Sequence, residues 1–174
     1  MSWDSQIEMT STHRVFLALG SNIGDRLATL ELACDMLADA FGGLRLSQLY
    51  ETEPVGCPPG SPLYLNACVE VNTEHSPQEV LSICQDIEKK LGRVRTGEYG
   101  APRTCDVDII CHGETLLNTP ELTLPHPRAH KREFVLRPLC DIDPHLRLPG
   151  QPLPVSELLA ALPAERPQVT PFDL

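Results

Sequence analysis

The stretch Val15-Phe16-Leu17-Ala18-Leu19, followed by Gly20-Ser21-Asn22, decides the fold, because an apolar run of strand length ends there in a turn. Such a run is typical of a strand in the centre of a sheet. From about Asp25 to Phe41, apolar side chains recur every three or four residues, which predicts an amphipathic helix. Gly42-Gly43 is expected to end this helix. The fold therefore begins with a strand, a turn and a helix.

A long-armed hairpin is predicted next. Leu44 to Thr52 is a strand candidate, and residues 53–62 are dense in proline and glycine, which predicts a loop. Tyr64 to Val71 alternates in side-chain type, as a strand with two different faces does. One face is expected to carry Tyr64, Asn66, Cys68 and Glu70, and the other Leu65, Ala67, Val69 and Val71.

A second helix has a clear start at Ser76-Pro77-Gln78-Glu79. Serine caps the helix, proline suits its first position, and a glutamate three residues after the cap completes the capping pattern. Gly92 is expected to end this helix, and the loop 92–103 leads to a strand at Thr104–Cys111.

The order strand, helix, strand, strand, helix, strand predicts an α+β fold. We expect a ferredoxin-like sandwich, with an antiparallel sheet, two helices on one face, a C-terminal extension, and the other face free to carry a site. The extension is predicted to hold a short strand at Leu122–Leu124, a turn of helix within 127–140 and a last helix at Val155–Leu162. Residues 1–174 form one predicted domain, with 1–13 a flexible tail and 163–174 a proline-rich tail.

The composition limits the classes of function. A net charge of −10 disfavours nonspecific binding to nucleic acid or to an anionic membrane. The cysteine count is odd, at 7, and there is no Cys-x-x-Cys pair, so we expect reduced thiols and a cytoplasmic protein. The sequence shows no secretory signal at its start and no apolar run of membrane-spanning length.

The paired aspartates Asp106 and Asp108 are the strongest chemical signal. On a strand they point the same way, roughly 6.5–7 Å apart, while Cys105, Val107 and Ile109 point to the core. Magnesium prefers such hard oxygen ligands and keeps substrate phosphates in its shell. The alternative is a solvent-facing strand with two ordinary acids, although aspartate is disfavoured in strands.

Cationic side chains are concentrated near this pair. Of the 14 Lys and Arg residues, five lie in 89–103 and four in 128–137. Arg93, Arg95 and Arg103 surround the loop before the aspartates, and arginine forks bind phosphate in a bidentate manner. His126, between two prolines, is a further phosphate donor candidate. A solvated, solubilising surface would explain the same charges.

Tyr64 and Asn66 share one strand face and suit a flat heterocycle, which a ring can stack against and an amide can hydrogen-bond. A partly exposed sheet face is the alternative. Gly20-Ser21-Asn22-Ile23-Gly24 lacks the features of a Walker or Rossmann phosphate loop, so a plain turn is favoured there.

Six ordered blocks together resemble the 6-hydroxymethyl-7,8-dihydropterin pyrophosphokinase family over about Val15 to Pro144. The blocks are Leu19-Gly20-Ser21-Asn22; Tyr50-Glu51-Thr52-Glu53-Pro54-Val55-Gly56; Tyr64-Leu65-Asn66; Glu88 with Gly92-Arg93-Val94-Arg95; Pro102-Arg103-Thr104-Cys105-Asp106-Val107-Asp108-Ile109; and Pro125-His126-Pro127 through Arg132, Phe134 and Pro138-Leu139.

This resemblance implies transfer of pyrophosphate from Mg-ATP to the pterin hydroxymethyl oxygen, with release of AMP, in folate biosynthesis. It implies two magnesium ions held by Asp106 and Asp108, with Arg93 and Arg103 also catalytic. The residues implied for ATP are Gln85, Glu88, Arg93, Arg103, Ile109, Thr123, His126 and Arg132. Those implied for the pterin are Thr52, Pro54, Val55, Tyr64, Asn66 and Phe134. ATP and the dihydropterin are the expected partners, with no nucleic acid and no membrane, and protein partners are left open.

One segment departs from the family pattern. Members often carry an arginine and a bulky aromatic residue just before the block that contains Arg103. Here residues 96–101 supply Tyr99 as a shifted aromatic residue but no arginine, and they add Glu98. Phosphate clamping or loop closure is therefore expected to differ. The alternatives to this family are a magnesium-dependent nucleotidyltransferase and a non-catalytic nucleotide-binding ferredoxin-like module.

Overall fold

The computed structural model describes residues 12–54, 58–96 and 105–174, without the side chains of 93–96. Its elements in chain order are β1 His13–Ser21, α1 Arg26–Phe41, β2 Arg45–Leu46, β3 Tyr50–Thr52, β4 Tyr64–Thr73, α2 Pro77–Thr96, β5 Asp106–His112, β6 Leu117–Asn118, β7 Thr123–Leu124, a 3₁₀ turn Ala129–Lys131, α3 Glu133–Ile142, α4 Val155–Ala160 and β8 Val169–Pro171. Among the described helices, none combines the length and the apolar character needed to cross a membrane.

The main sheet confirms the ferredoxin-like prediction. Its strand order is β5-β1-β4-β3-β8, with β2 also paired to β4, and the described strands pair antiparallel throughout. The helices α1 and α2 cover one face through an aliphatic core that includes Leu17, Leu30 and Leu91. β1, the apolar run quoted first, lies between β4 and β5 as expected for a central strand.

The predicted strand Leu44–Thr52 is interrupted. Ser47 donates its backbone N–H to Cys68 O at 3.0 Å. The Ser47 hydroxyl accepts the Cys68 N–H at 2.9 Å and donates to Gln48 O. A side-chain oxygen thus replaces part of the backbone ladder, which divides the predicted strand into β2 and β3.

The two helix ends behave differently from each other. Gly42 ends α1 as predicted, with a left-handed φ of 78° and its N–H donated to Ala38 O. Gly92 does not end α2, which continues to Thr96. A glycine stops a helix when it adopts the left-handed conformation, and Gly92 does not adopt it. The prediction that α2 ends at Gly92 is therefore wrong.

The second face of the sheet is not free, contrary to expectation. α3 and α4 cover much of it and form a second apolar cluster around Phe16, Ile110 and Leu136. The sequence predicted only a turn of helix within 127–140, where the structure has the ten-residue helix Glu133–Ile142. Residues of β1, β3, β4 and β5 at one end of this face line a cavity instead.

A β-bulge at Ile110 allows β5 to contribute side chains to the apolar clusters on both faces of the sheet. Leu17 pairs with Ile109 and Phe16 with Cys111, which leaves Ile110 as the extra residue. Cys105, Val107 and Ile109 accordingly enter the helix-covered core, as predicted. Ile110 and Cys111 both join the cluster under α3.

The C-terminal segment is more ordered in structure than its proline content suggested. Val169–Pro171 forms β8, which pairs with β3 in the register Thr52↔Val169 and Tyr50↔Pro171. The last helix is shorter than predicted and ends at Ala160.

Six cysteines are described, and all are free thiols. Four of them, Cys68, Cys84, Cys105 and Cys111, are buried in the two apolar clusters, where they pack as small hydrophobic side chains.

Candidate functional site

Two cavities meet at the start of β5. The sheet-face cavity, of about 230 Å³, lies over the ends of β1, β3 and β4 and against the start of α3. The helix-side cavity, of about 400 Å³, lies between α2, β5 and the β6–β7 hairpin. Asp106, Asp108 and His126 line both cavities. Among the described residues, these three side chains lie between a ligand in one cavity and a ligand in the other.

The two aspartates stand next to small residues on the neighbouring strand. Asp106 pairs with Gly20 of β1, and Asp108 pairs with Ala18. Asp106 is partly buried and Asp108 is exposed. Because Gly20 and Ala18 have little or no side chain, they leave open space beside the two carboxylates in the sheet-face cavity. From the sequence, Gly20 was predicted to belong to a plain turn, and this role was not foreseen, although a glycine at the end of a buried strand often marks a close approach.

This carboxylate pair fits magnesium. Both donors are hard oxygens on a rigid strand, and Mg²⁺ is usually bound by one or two carboxylates together with water and substrate phosphates. Among the residues that the structure describes, no group of three or more His, Cys, Asp or Glu residues could hold a metal ion. The two carboxylates can supply part of a magnesium coordination shell and leave positions for water and phosphate oxygens.

His126 is fixed from two sides. Its backbone N–H donates to Ile110 O at 2.8 Å, and its Nδ1 accepts the Arg128 backbone N–H at 3.2 Å. With Nδ1 as an acceptor, the neutral ring carries its proton on Nε2. Burial lowers the pKa of His126 below the ordinary 6.5, and Arg132 and Arg128 lower it further against the opposing effect of Asp108. The ring is therefore a neutral donor near pH 7.

Arg132 contributes a cation at the same cavity. Its guanidinium lies 5.3 Å from the centroid of the Phe134 ring, a distance suited to a cation–π contact. Burial and the neighbouring Arg128 lower the pKa of Arg132, but an arginine remains charged at neutral pH. Arg132 and Phe134 belong to opposite predicted groups, ATP and pterin, and the structure brings them together.

The sheet-face cavity collects the described residues expected to bind the pterin. They are Thr52, Pro54, Tyr64, Asn66 and Phe134. Asn66 is only 6% exposed and donates Nδ2 to the Thr52 hydroxyl. Its Oδ1 lies over Gly20, where an added Cβ would be 2.9 Å away. The amide is therefore held in one orientation at the cavity wall.

The helix-side cavity collects four residues expected at the nucleotide site: Gln85, Glu88, Ile109 and Thr123. Glu88 is 6% exposed, and its Oε2 accepts the Val107 N–H at 3.2 Å. This bond ties α2 to β5 between the two aspartates, so Glu88 also positions the strand. Its anchoring role was not foreseen from the sequence.

Four predicted residues cannot be placed in either cavity. Val55 and Arg103 lie outside the described residues, and so do the side chains of Arg93 and Arg95. The departure at residues 96–101, apart from the backbone of Thr96 in α2, lies outside them as well. The roles of these residues stay predictions. The remaining predicted residues line one cavity or both.

Comparison with known proteins gives consistent matches. The sequence model of the 7,8-dihydro-6-hydroxymethylpterin-pyrophosphokinase (HPPK) family matches residues 16–144. A Porphyromonas gingivalis protein named 2-amino-4-hydroxy-6-hydroxymethyldihydropteridine pyrophosphokinase is 44% identical over 144 residues, which cover 80% of this chain and 97% of that protein. A Pseudomonas aeruginosa protein of the same name is 42% identical over 156 residues, covering 87% and 93% respectively.

Solved structures share the fold. An HPPK-DHPS crystal structure in complex with substrates superposes with a TM-score of 0.65 at 12% identity, covering 86% of this chain. The wild-type Plasmodium falciparum HPPK-DHPS with pteroate gives a TM-score of 0.66 at 15% identity. This chain spans 43% and 42% of those two chains. At such identities the likeness concerns the fold.

Proposed function

The chain belongs to the 7,8-dihydro-6-hydroxymethylpterin-pyrophosphokinase family, and from that premise we propose how its residues carry out the reaction. That reaction transfers pyrophosphate from ATP to the hydroxymethyl group of 6-hydroxymethyl-7,8-dihydropterin in folate biosynthesis. The matches favour this activity over a nucleotidyltransferase or a non-catalytic nucleotide-binding module.

The sheet-face cavity is proposed to bind the pterin. Its volume of about 230 Å³ suits a small ligand, and Asn66 can offer a fixed amide oxygen to the ring edge. Tyr64 and Phe134 offer aromatic faces for a flat heterocycle. Thr52 holds the Asn66 amide, while Pro54 lines the rim. Val55 is assigned here from the family resemblance.

The helix-side cavity is proposed to bind the nucleotide. Gln85, Ile109 and Thr123 supply a mixed polar and apolar lining, and Glu88 keeps β5 in register beside it. His126 lies where both cavities meet, with its Nε2 proton as a donor for a phosphate oxygen. Arg132 adds a positive charge, and Arg93 and Arg103 complete the proposed set of phosphate ligands.

Transfer requires little covalent work from the protein. Positioning of the acceptor oxygen in line with the β-phosphorus, with neutralisation of the phosphate charge, supplies most of the acceleration in phosphoryl-transfer reactions. Asp106 and Asp108 would hold magnesium, which when bound neutralises and orients the phosphates. His126 lines both cavities and Arg132 lines the sheet-face cavity, so both are proposed to donate to phosphate oxygens near the two aspartates.

One observation supports this proposal most directly: both cavities share the carboxylates of Asp106 and Asp108. A group transfer between two bound molecules needs the donor and the acceptor on opposite sides of one reacting centre. The arrangement of the cavities provides that geometry.

Product analysis tests the activity. The protein is incubated with Mg-ATP and 6-hydroxymethyl-7,8-dihydropterin, and the nucleotides and pterins are separated. We expect AMP and pterin diphosphate in equal amounts. Formation of ADP, release of free pyrophosphate, or no reaction would contradict pyrophosphoryl transfer.

Three further proposals concern the metal ions, the location and the class of partner. We propose two magnesium ions, since paired carboxylates can bridge two ions against a polyphosphate. We propose a cytoplasmic location, which the free thiols of the six described cysteines support. The net charge of −10 supports small-molecule substrates without nucleic acid or membrane.

A further inference from the structure

The C-terminal segment 163–171 lies beyond the family match, which ends at residue 144. It nevertheless touches both walls of the sheet-face cavity. We propose that this segment, called here the C-terminal brace, sets the separation of those walls, with Arg166 as a positioning residue for the acceptor substrate. This inference rests on the proposed binding of the pterin in the sheet-face cavity.

The first attachment of the brace is an ion pair with α3. Arg166 Nε donates to Glu133 Oε2 at 2.9 Å. The Glu133 side chain is only 8% exposed, while that of Arg166 is 32% exposed. Arg166 Nη1 also donates to Pro163 O at 2.7 Å. This second hydrogen bond orients the guanidinium toward the Glu133 carboxylate. Arg137 donates to the other oxygen of Glu133, so the carboxylate is held from two sides.

Glu133 stands between the two α3-side residues of the proposed site. It is the first residue of α3, and its sequence neighbours are Arg132 and Phe134. Both neighbours line the sheet-face cavity. Fixing the Glu133 side chain therefore fixes the backbone from which the Phe134 ring and the Arg132 guanidinium project.

The second attachment is to β3 on the opposite wall. β8 pairs with β3, with Val169 opposite Thr52, and Glu53 donates its N–H to Gln168 O at 3.3 Å. Thr52 in turn accepts the amide hydrogen of Asn66. Without β8, β3 would form the edge of the sheet at the point where Thr52 and Glu53 line the cavity.

The brace thus connects the two walls behind the cavity. A second, smaller cavity of about 190 Å³ is lined by residues 131–134 on one side and by Arg166, Pro167 and Val169 on the other. The contact between α3 and the brace is therefore not completely filled. This cavity gives the start of α3 room to move if the Arg166–Glu133 ion pair is lost, and such a movement would widen the sheet-face cavity.

Steady-state kinetics of the full chain test this proposal. We expect Arg166→Ala to raise the KM for the pterin by about five- to tenfold, because displaced walls bind the acceptor less well. The KM for ATP should rise by a smaller factor, because Arg132 is the one described phosphate ligand next to Glu133 and no brace residue lines the helix-side cavity. Arg166→Lys keeps a charge within reach of Glu133 and should restore most of the pterin affinity.

Arg147→Ala is the matched control. Arg147 is another arginine of the C-terminal extension that donates to a backbone carbonyl, that of Pro152, but it lines neither proposed cavity. We expect it to leave both KM values near those of the unmodified protein.

The outcomes separate this inference from the proposed function. If the unmodified protein forms no AMP, the proposed function fails. If it is active and Arg166→Ala leaves the pterin KM unchanged, or raises both KM values equally, the brace does not position the acceptor site. An equal effect of Arg147→Ala would likewise overturn the inference.

Discussion

Asp106 and Asp108 have different surroundings although one residue separates them. Asp106 is partly buried beside Gly20, while Asp108 is exposed beside Ala18. The buried side chains between and around them, Val107 and Ile109, hold β5 to α2. The fold therefore depends on the apolar residues of this strand, and the proposed chemistry depends on the acidic ones.

Replacement of either aspartate should separate activity from folding. We expect Asp106→Ala and Asp108→Ala each to reduce AMP formation by about a thousandfold or more, because the magnesium ligands are lost. Far-UV circular dichroism should remain unchanged. Glu114→Ala, which removes an exposed carboxylate just beyond β5, serves as the control and should retain activity. Near-normal rates in both aspartate variants would refute the metal assignment.

Gly20→Ala should affect the acceptor selectively. The new Cβ would lie 2.9 Å from Asn66 Oδ1, too close for an ordinary contact, so the amide must move. We expect the pterin Kd to rise about tenfold, as for the loss of one fixed contact, with little change for ATP. Asn66→Ala should give the same selectivity. Titration calorimetry with each substrate measures both, and equal losses for the two substrates would contradict the assignment of the cavities.

At the scale of elements, α2 reaches further than its glycine suggested. Gly92 lies inside α2 and lacks the left-handed φ that Gly42 adopts at the end of α1. The sequence contains the same residue type at both places, and only the surrounding backbone distinguishes them. The boundary of α2 was therefore not predictable from glycine alone.

This difference gives opposite expectations for two alanine substitutions. Gly92→Ala should raise the free energy of unfolding by about 0.5–1 kcal/mol, because alanine favours a helix interior. No described atom outside the helix backbone lies within 4 Å of the added Cβ. Gly42→Ala should lower it by about 1–2 kcal/mol, because φ is 78° there. Urea unfolding measures both, and changes of the same sign would contradict the assigned backbone conformations.

The contact between α3 and the brace should depend on pH. Burial alone raises the pKa of Glu133, but hydrogen bonds from Arg166 and Arg137 outweigh burial and leave it below the ordinary 4.5. The unfolded chain then binds the proton more readily than the folded one. The stabilisation is complete above pH 4.5 and is lost as the pH falls through the lower, folded-state value.

Glu133→Gln removes this dependence. We expect the variant to be less stable by about 1–2 kcal/mol at pH 7, a modest loss because both arginines are partly exposed to solvent. Its stability should fall less steeply than that of the unmodified protein below pH 4.5. Urea titrations from pH 3 to 7, in roughly unit steps, measure the difference. Glu165→Gln, an exposed acid beside Arg166, should behave like the unmodified protein.

At the scale of the whole molecule, the strand and helix order was sufficient to predict the ferredoxin-like sheet. Apolar runs and helical periodicity are local sequence signals that predict each element. The order of the elements along the chain then predicts the layered α+β fold. The same signals placed Asp106 and Asp108 on one side of β5. The alternating pattern of β4 also correctly predicted opposite faces for Leu65, which lies in the helix-covered core, and Asn66, which lines the sheet-face cavity.

The extension could not be predicted in the same way. Its prolines resemble a loose tail, yet β8 is held by pairing with β3, a partner more than a hundred residues earlier in the chain. The coverage of the second face by α3 likewise depends on long-range packing around Phe16 and Leu136. The bulge at Ile110 depends on the register between β1 and β5. No local sequence pattern predicts any of these three features, because each depends on residues distant in the chain.

The buried thiols provide a built-in probe of local opening. Burial raises the pKa of the half-buried Cys34 to about 11 and that of three buried thiols to about 12, namely Cys84, Cys105 and Cys111. A thiol with so little thiolate at neutral pH reacts slowly with alkylating reagents until its surroundings unfold. Cys105 directly precedes Asp106, so its labelling rate reports how often the start of β5 detaches. Mass spectrometry of the unmutated protein could therefore follow, cysteine by cysteine, which parts of the molecule substrates make rigid.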